Sequence, residues 1–214
     1  MIQSLKLITA PVNEPVLLAD LKNFLRIDTS ADDAMLTDFI KASTRIIERY
    51  TNRKLITQTW AFFMDNFPFS NRFDSLAEGV TEGALSQYIF TQSYISVPLF
   101  PLQSVTHLKT YDDSNTDYTM DSSDYFVDVS SEPGRLSLTN NSTWPATVLR
   151  PVKGVEIQFV CGYGANPTDV PFELRHAIMQ TAGVFYSNRG CAESEDAIPK
   201  STLALINAYR VYRL

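Results

Sequence analysis

Few side chains in this sequence are of the types that carry chemistry, and their spacing keeps them apart. The two histidines lie in unrelated contexts, His107 in a strand-like stretch and His176 in a helix-like one. Glu173-x-x-His176 puts a carboxylate and an imidazole on one helical face, but a single pair falls well short of a metal's ligand set. A cysteine nucleophile needs a histidine base beside it. Cys161 ends the strand-like run Phe159-Val160-Cys161-Gly162-Tyr163-Gly164, Cys191 sits in a loop, and both read as free thiols. Gly162 and Gly164 match neither phosphate-cradling pattern, GxxxxGK[ST] or GxGxxG, and are expected to serve a tight turn between strand and helix. One pattern does resemble a metal loop. Asp113-x-Asn115-x-Asp117, with Asp124 at the twelfth position, sets alternating oxygens that can converge on calcium. Tyr118 stands where the turn glycine belongs, and strands rather than helices flank the segment, which favours a solvated hairpin. A calcium-dependent binding module is the alternative function this motif offers. With no catalytic set and no cofactor motif, the chain reads as a structural or interaction protein rather than an enzyme.

Charge is distributed unevenly. From Tyr111 to Glu132 there are seven acidic residues and no basic one, which makes a solvated face or an edge that repels acidic surfaces and docks on basic ones. The stretch from Ile198 to Leu214 carries Lys200, Arg210 and Arg213 and no acid. Its end, Tyr209, Arg210, Tyr212, Arg213 and Leu214, combines the tyrosine and arginine that anchor interfaces and is the candidate partner-binding segment; a frayed end is the plainer reading.

The elements that must position these residues are legible from periodicity. A first helix is predicted from Asn13-Glu14-Pro15, with Leu17, Leu18, Leu21, Phe24 and Leu25 on one face and Arg26 at its end. A second is predicted after Ser30, which with Asp33 resembles a capping box. Leu36, Phe39, Ile40, Ser43, Ile47 and Tyr50 form its apolar face, and Asp38, Lys41, Arg45, Glu48 and Arg49 its solvent side. From Leu55 to about Tyr163 the texture is β-branched and aromatic. Strands are expected over 56–64, 88–97, 104–111, 118–120, 125–129, 135–138 and 155–160, while 70–87 reads as a solvated excursion. Helical texture returns at Asp169-Val170-Pro171 and, after a loop, at Ile198-Pro199. Four helices can bury their stripes only against each other. The expected fold is therefore α+β: a four-helix bundle from residues 1–54 and 165–214, with 55–164 as a β-rich insertion between helices 2 and 3.

A chain of 214 residues with 44% hydrophobic and 12% aromatic content can bury a core without disulfides or metals. Its net charge of −6 argues against a duplex nucleic-acid binder. No run approaches the length of a membrane span, and the start lacks the pattern of a secretory signal, so a cytoplasmic protein is expected.

Several stretches, taken in order, resemble bacteriophage head–tail connector proteins. They are Glu14-Pro15-Val16-Leu17-Leu18-Ala19-Asp20-Leu21-Lys22 with Phe24-Leu25-Arg26-Ile27-Asp28 and the pair Asp32-Asp33; Thr51 to Trp60; Pro101 to Val105; Pro133-Gly134-Arg135-Leu136; Trp144-Pro145; Gly162-Tyr163-Gly164; Val170-Pro171; Phe185-Tyr186-x-Asn188-Arg189; and Ala208-Tyr209-Arg210. Phe69 to Tyr94 departs from the pattern by being longer and more polar. The resemblance implies an adaptor at the neck of a long-tailed phage, forming a ring, typically of twelve copies, under the portal protein. It would be assembled in the host cytoplasm, extend the DNA channel without sequence-specific binding, and offer a platform to stopper or tail-completion proteins. The resemblance also implies that the C-terminal segment takes part in portal contact.

Overall fold

Period-2 burial organises the strand-rich part. In the computed structural model, which describes residues 3–67, 94–140, 142–145, 148–188 and 198–211, strand β8 (Val155–Cys161) alternates fully, burying Val155, Ile157, Phe159 and Cys161. It sits at the centre of a five-stranded sheet of order β1-β2-β8-β4-β5, with β1 at Gln3–Thr9, β2 at Gln58–Met64, β4 at Leu102–Tyr111 and β5 at Asp117–Thr119. A second sheet has order β3-β7-β6, from Tyr94–Ser96, Arg135–Leu138 and Tyr125–Asp128. The pairs β1–β2, β4–β5, β3–β7 and β6–β7 are antiparallel. Six of the expected strands appear within two residues of their predicted bounds. The one expected over 88–97 is present at Tyr94–Ser96, and its earlier part, like the whole of the 70–87 excursion, lies outside the described residues.

Strand β1 is not marked in the sequence. Its seven residues are almost wholly exposed on both faces, so the chain there lacks the alternation that a half-buried strand leaves behind.

Helices form the other part. Helix α1 (Leu18–Leu25) begins three residues later than predicted. Leu17 is extended at φ −77°, ψ 147°, and Val16 is buried in the helical core, so the Pro15 segment runs up to the helix rather than starting it. Arg26 closes α1 in the left-handed conformation at φ 56°, where its N–H bonds Asn23 O and the next, Ile27 N–H, bonds Lys22 O, satisfying orphan carbonyls at the helix end. Helix α2 (Asp33–Thr51) has Asp32 at its N-cap, and neither Ser30 nor Asp32 supplies a side-chain cap. The predicted capping box is therefore not formed. Instead the paired aspartates reach outwards: Asp33 Oδ1 receives Lys22 Nζ at 2.7 Å, and Asp32 Oδ2 receives Tyr186 OH at 2.9 Å. Helix α3 spans Phe172–Ser187 and α4 spans Lys200–Ile206, each opened by a proline at the N-cap.

The helices share one core. Leu21 of α1, Leu36, Ile40 and Ile47 of α2, Leu174, Ala177, Ile178 and Ala182 of α3, and Ile206 of α4 are buried together. Helix α3 is central, packing on α1, α2 and α4. The fold is thus mixed α+β, with four helices and antiparallel strand pairs among the described residues. It divides into two compact units, residues 1–9 with 59–160, and residues 10–58 with 161–214. No helix among the described residues is long and apolar enough to cross a membrane.

Beside α2, Glu14 illustrates the cost of placing a charge in this unit. Burial raises its carboxyl above the ordinary range by more than Arg45 and Lys41 lower it. The folded state therefore holds the proton more tightly than the unfolded chain, a contribution fully present below the ordinary glutamate range and lost as pH rises through the raised value. Glu14→Gln is expected to melt above the wild type at neutral pH and together with it in acid, as a pH series of thermal melts would reveal.

Candidate functional site

Helix α2 ends on a residue suited to a reversal. Asn52 adopts φ 59°, a left-handed conformation that asparagine tolerates better than most residues. The chain turns back, and Lys54 and Leu55 close over the last turn of α2. There Glu48, expected on the solvent side, is only 6% exposed. Its Oε1 accepts the Leu55 N–H at 3.0 Å and its Oε2 accepts Lys54 Nζ at 2.9 Å. The helical period assigned Glu48 to the polar face correctly, but the returning segment covers that face.

The same segment is clamped from its other side. Tyr163 N–H donates to Leu55 O at 3.0 Å and Thr57 N–H to Gly164 O at 2.9 Å, making a short parallel bridge between Ile56 and Gly164. Gly162 has φ +128°, and a Cβ there would lie 2.7 Å from the backbone of Ile56 and Thr57. The two glycines thus allow two backbones to approach where a side chain would separate them. At Gly164 a Cβ would collide with the Asp169 side chain, whose carboxylate accepts Asn166 N–H at 2.9 Å.

A third segment completes the junction. After α4 a 3₁₀ turn at Asn207–Tyr209 brings residues 207–211 onto the end of α2. Arg53, 8% exposed, donates Nε–H to Tyr209 O at 2.6 Å. Tyr50 OH donates to Asn207 Oδ1 at 2.7 Å, and the Arg210 guanidinium lies over the Tyr50 ring at 4.8 Å. Val211 N–H reaches Thr51 O at 3.1 Å, while Asn52 Nδ2 reaches Val211 O at 2.8 Å. Tyr209 OH donates to Glu173 Oε2 at 2.9 Å; burial above all, with this carboxylate, raises the phenol's pKa. Of the candidate partner-binding residues, Tyr209 and Arg210 are held by these contacts, whereas Tyr212, Arg213 and Leu214 lie outside the described residues.

The calcium-loop residues are drawn to separate partners. Lys109 Nζ binds Asp117 Oδ2 at 2.8 Å, and the aspartate's pKa is lowered by that contact. Asn115 Oδ1 accepts from Arg150. Asp124 Oδ1 accepts Ser142 Oγ at 2.8 Å, and Asp113 Oδ1 receives Ser114 Oγ. No group of three or more histidine, cysteine, aspartate or glutamate side chains among the described residues is placed to hold a metal ion.

The other reactive types are equally separated. Cys161 is a buried free thiol pushed up to about 12, chiefly by burial; it donates to Gln58 O at 3.8 Å, and a thiol so rarely ionised is a poor nucleophile. Cys191 lies outside the described residues. His176 is packed between the Phe24 and Phe172 rings, each at 5.6 Å, whereas Glu173 on the same helix turns to Tyr209. His107 Nε2 lies 3.5 Å from Glu156 Oε1 on the sheet. What sequence reasoning missed is the Glu48–Arg53 cluster; a glutamate four positions before the asparagine that ends α2 was its only local trace.

The α+β fold of this chain is similar to that of solved chains from gene transfer agent particles. One similar solved chain comes from the neck of an empty gene transfer agent particle computed with C6 symmetry, with TM-score 0.74, 21% identity, and 99% of this chain and 97% of that one covered. Another is from the virion of a native gene transfer agent particle, at TM-score 0.71, 21% identity, and 98% and 96% coverage. A third, from the native neck computed with C12 symmetry, has TM-score 0.68 at 21% identity over 99% and 97%. The model of the phage gp6-like head-tail connector proteins matches residues 16–130, more than half of the chain, and the chain belongs to that family. No curated protein matches it in sequence.

Proposed function

We propose that the protein is an adaptor that assembles as a ring at the neck of a tailed virion, between the portal and the tail. The observation that carries this reading is a connector-family chain whose C-terminal segment is fixed to α2 as far as Val211. A ring of twelve copies is supported by the C12 symmetry of one structural neighbour. In this reading the four helices act as one bundle that builds the ring and meets the portal. The acidic, strand-rich part from 55 to 164 is the surface offered to stopper or tail-completion proteins. The net charge of −6 suits a channel that passes viral DNA without holding it. Assembly takes place in the host cytoplasm and residence is in the virion neck.

The test is assembly with the cognate portal, imaged end on. A ring with a central hole is expected, and a chain that stays monomeric alone and with portal would overturn the reading. Removing residues 212–214 is expected to weaken portal binding by at least about tenfold, the size of one interface anchor, with the melting temperature unchanged. Binding that survives the truncation would move the contact elsewhere.

A further inference from the structure

The five-stranded sheet ends in two unlike edges, and we infer that in the ring β1 of one copy pairs with the β5 edge of the next. This rests on the ring reading above. Among the described residues, strand β1 is bonded to β2 on one side only. It leaves Leu5, Leu7 and Ile8 at 37%, 36% and 45% exposure. A row of unpaired backbone donors and acceptors flanked by apolar side chains is a template for another strand. At the far end β5 is bonded, among the described residues, to β4 alone and is exposed, with Tyr118 54% exposed.

Charge selects the partner. Lys6, the only charged residue of β1, forms no ion pair among the described residues. The β5 edge and the turns beside it hold Asp112, Asp113, Asp117, Asp121 and Asp124. Lys109 binds Asp117, and Arg150 lies nearby over Tyr111, but Asp113 and Asp121 bind only neighbouring serines. Two β1 edges brought together would oppose lysines, and two β5 edges would oppose aspartates. Only the unlike pairing is attractive. Unlike surfaces joined head to tail generate a ring when the rotation closes.

Three measurements test this on the full-length chain. Oxidising the Leu5→Cys/Tyr118→Cys variant during assembly should give a ladder of covalent multimers that the wild type and each single variant lack. Hydrogen exchange of residues 3–9 should be fast in the monomer and strongly slowed in the ring. Lys6→Glu, which leaves the fold untouched at an exposed site, should weaken assembly by about tenfold per contact. A ring that forms without ladder or added protection overturns the edge pairing and leaves the ring itself standing. Protection already complete in the monomer also overturns it, because the edge is then covered by its own chain; protection given only by portal or tail proteins assigns it to them. If no ring forms under any condition, the ring reading fails and this contact with it.

Discussion

Gly162→Ala is expected to destabilise the fold by about 4 kcal/mol, since backbone strain at positive φ and steric overpacking each cost about 1–3 kcal/mol. The added methyl would meet backbone atoms of Ile56 and Thr57 at 2.7 Å, and backbone cannot rotate aside as a side chain can. To make room, the bridge formed by Tyr163 N–H to Leu55 O and Thr57 N–H to Gly164 O must open. Stabilities of single domains run to about 5–15 kcal/mol, so this one methyl removes a large share. Gly183→Ala is the control. It lies within α3, has no positive φ, and its Cβ would meet the end of Leu25 at 3.2 Å, a flexible contact that can shift. Alanine also gains about 1 kcal/mol over glycine in a helix interior, so this change should be near neutral. Urea unfolding of both variants checks the contrast. A loss below about 1 kcal/mol for Gly162→Ala would mean that the turn relaxes away from Ile56.

Glu48→Ala should cost about 3 kcal/mol, the lower end for breaking a buried ion pair. It removes the carboxylate that pairs with the Lys54 ammonium, whose side chain is 17% exposed, and it leaves the buried Leu55 N–H without its acceptor. Glu48→Gln keeps the size and an oxygen for Leu55, so its cost should be smaller, about 1–2 kcal/mol for the lost charge. Because the carboxylate is buried, raising the salt concentration should change the difference little. Equal losses for the two variants would show that packing, not charge, is what Glu48 supplies.

How much of this was legible beforehand varies with the range of the interaction. Strand β7 falls on its expected residues, and β8 ends one residue beyond them, because alternation along a few residues already says which face is buried. The apolar stripe of α2 is likewise local. The start of α1 was misjudged because proline in a first turn looks the same whether the helix begins there or the chain merely passes through. Strand β1 left no pattern because neither of its faces is buried. The candidate site was legible only in pieces: Thr51 to Trp60, Gly162-Tyr163-Gly164 and Ala208-Tyr209-Arg210 each stood out, and nothing in their spacing joined them.

By itself, then, the sequence determined the kinds of element, the acidic middle and basic end, and the family resemblance that residues 16–130 support. Only the tertiary structure decided that Glu48 is covered, that the oxygens of the calcium-like motif turn to different partners, and that the segment from Tyr209 to Val211 is fastened beside the end of α2. The reason is physical. Periodicity reports how a segment meets an average interior, whereas a hydrogen bond such as Arg53 to Tyr209, 156 residues apart in the chain, exists only once both segments have been placed.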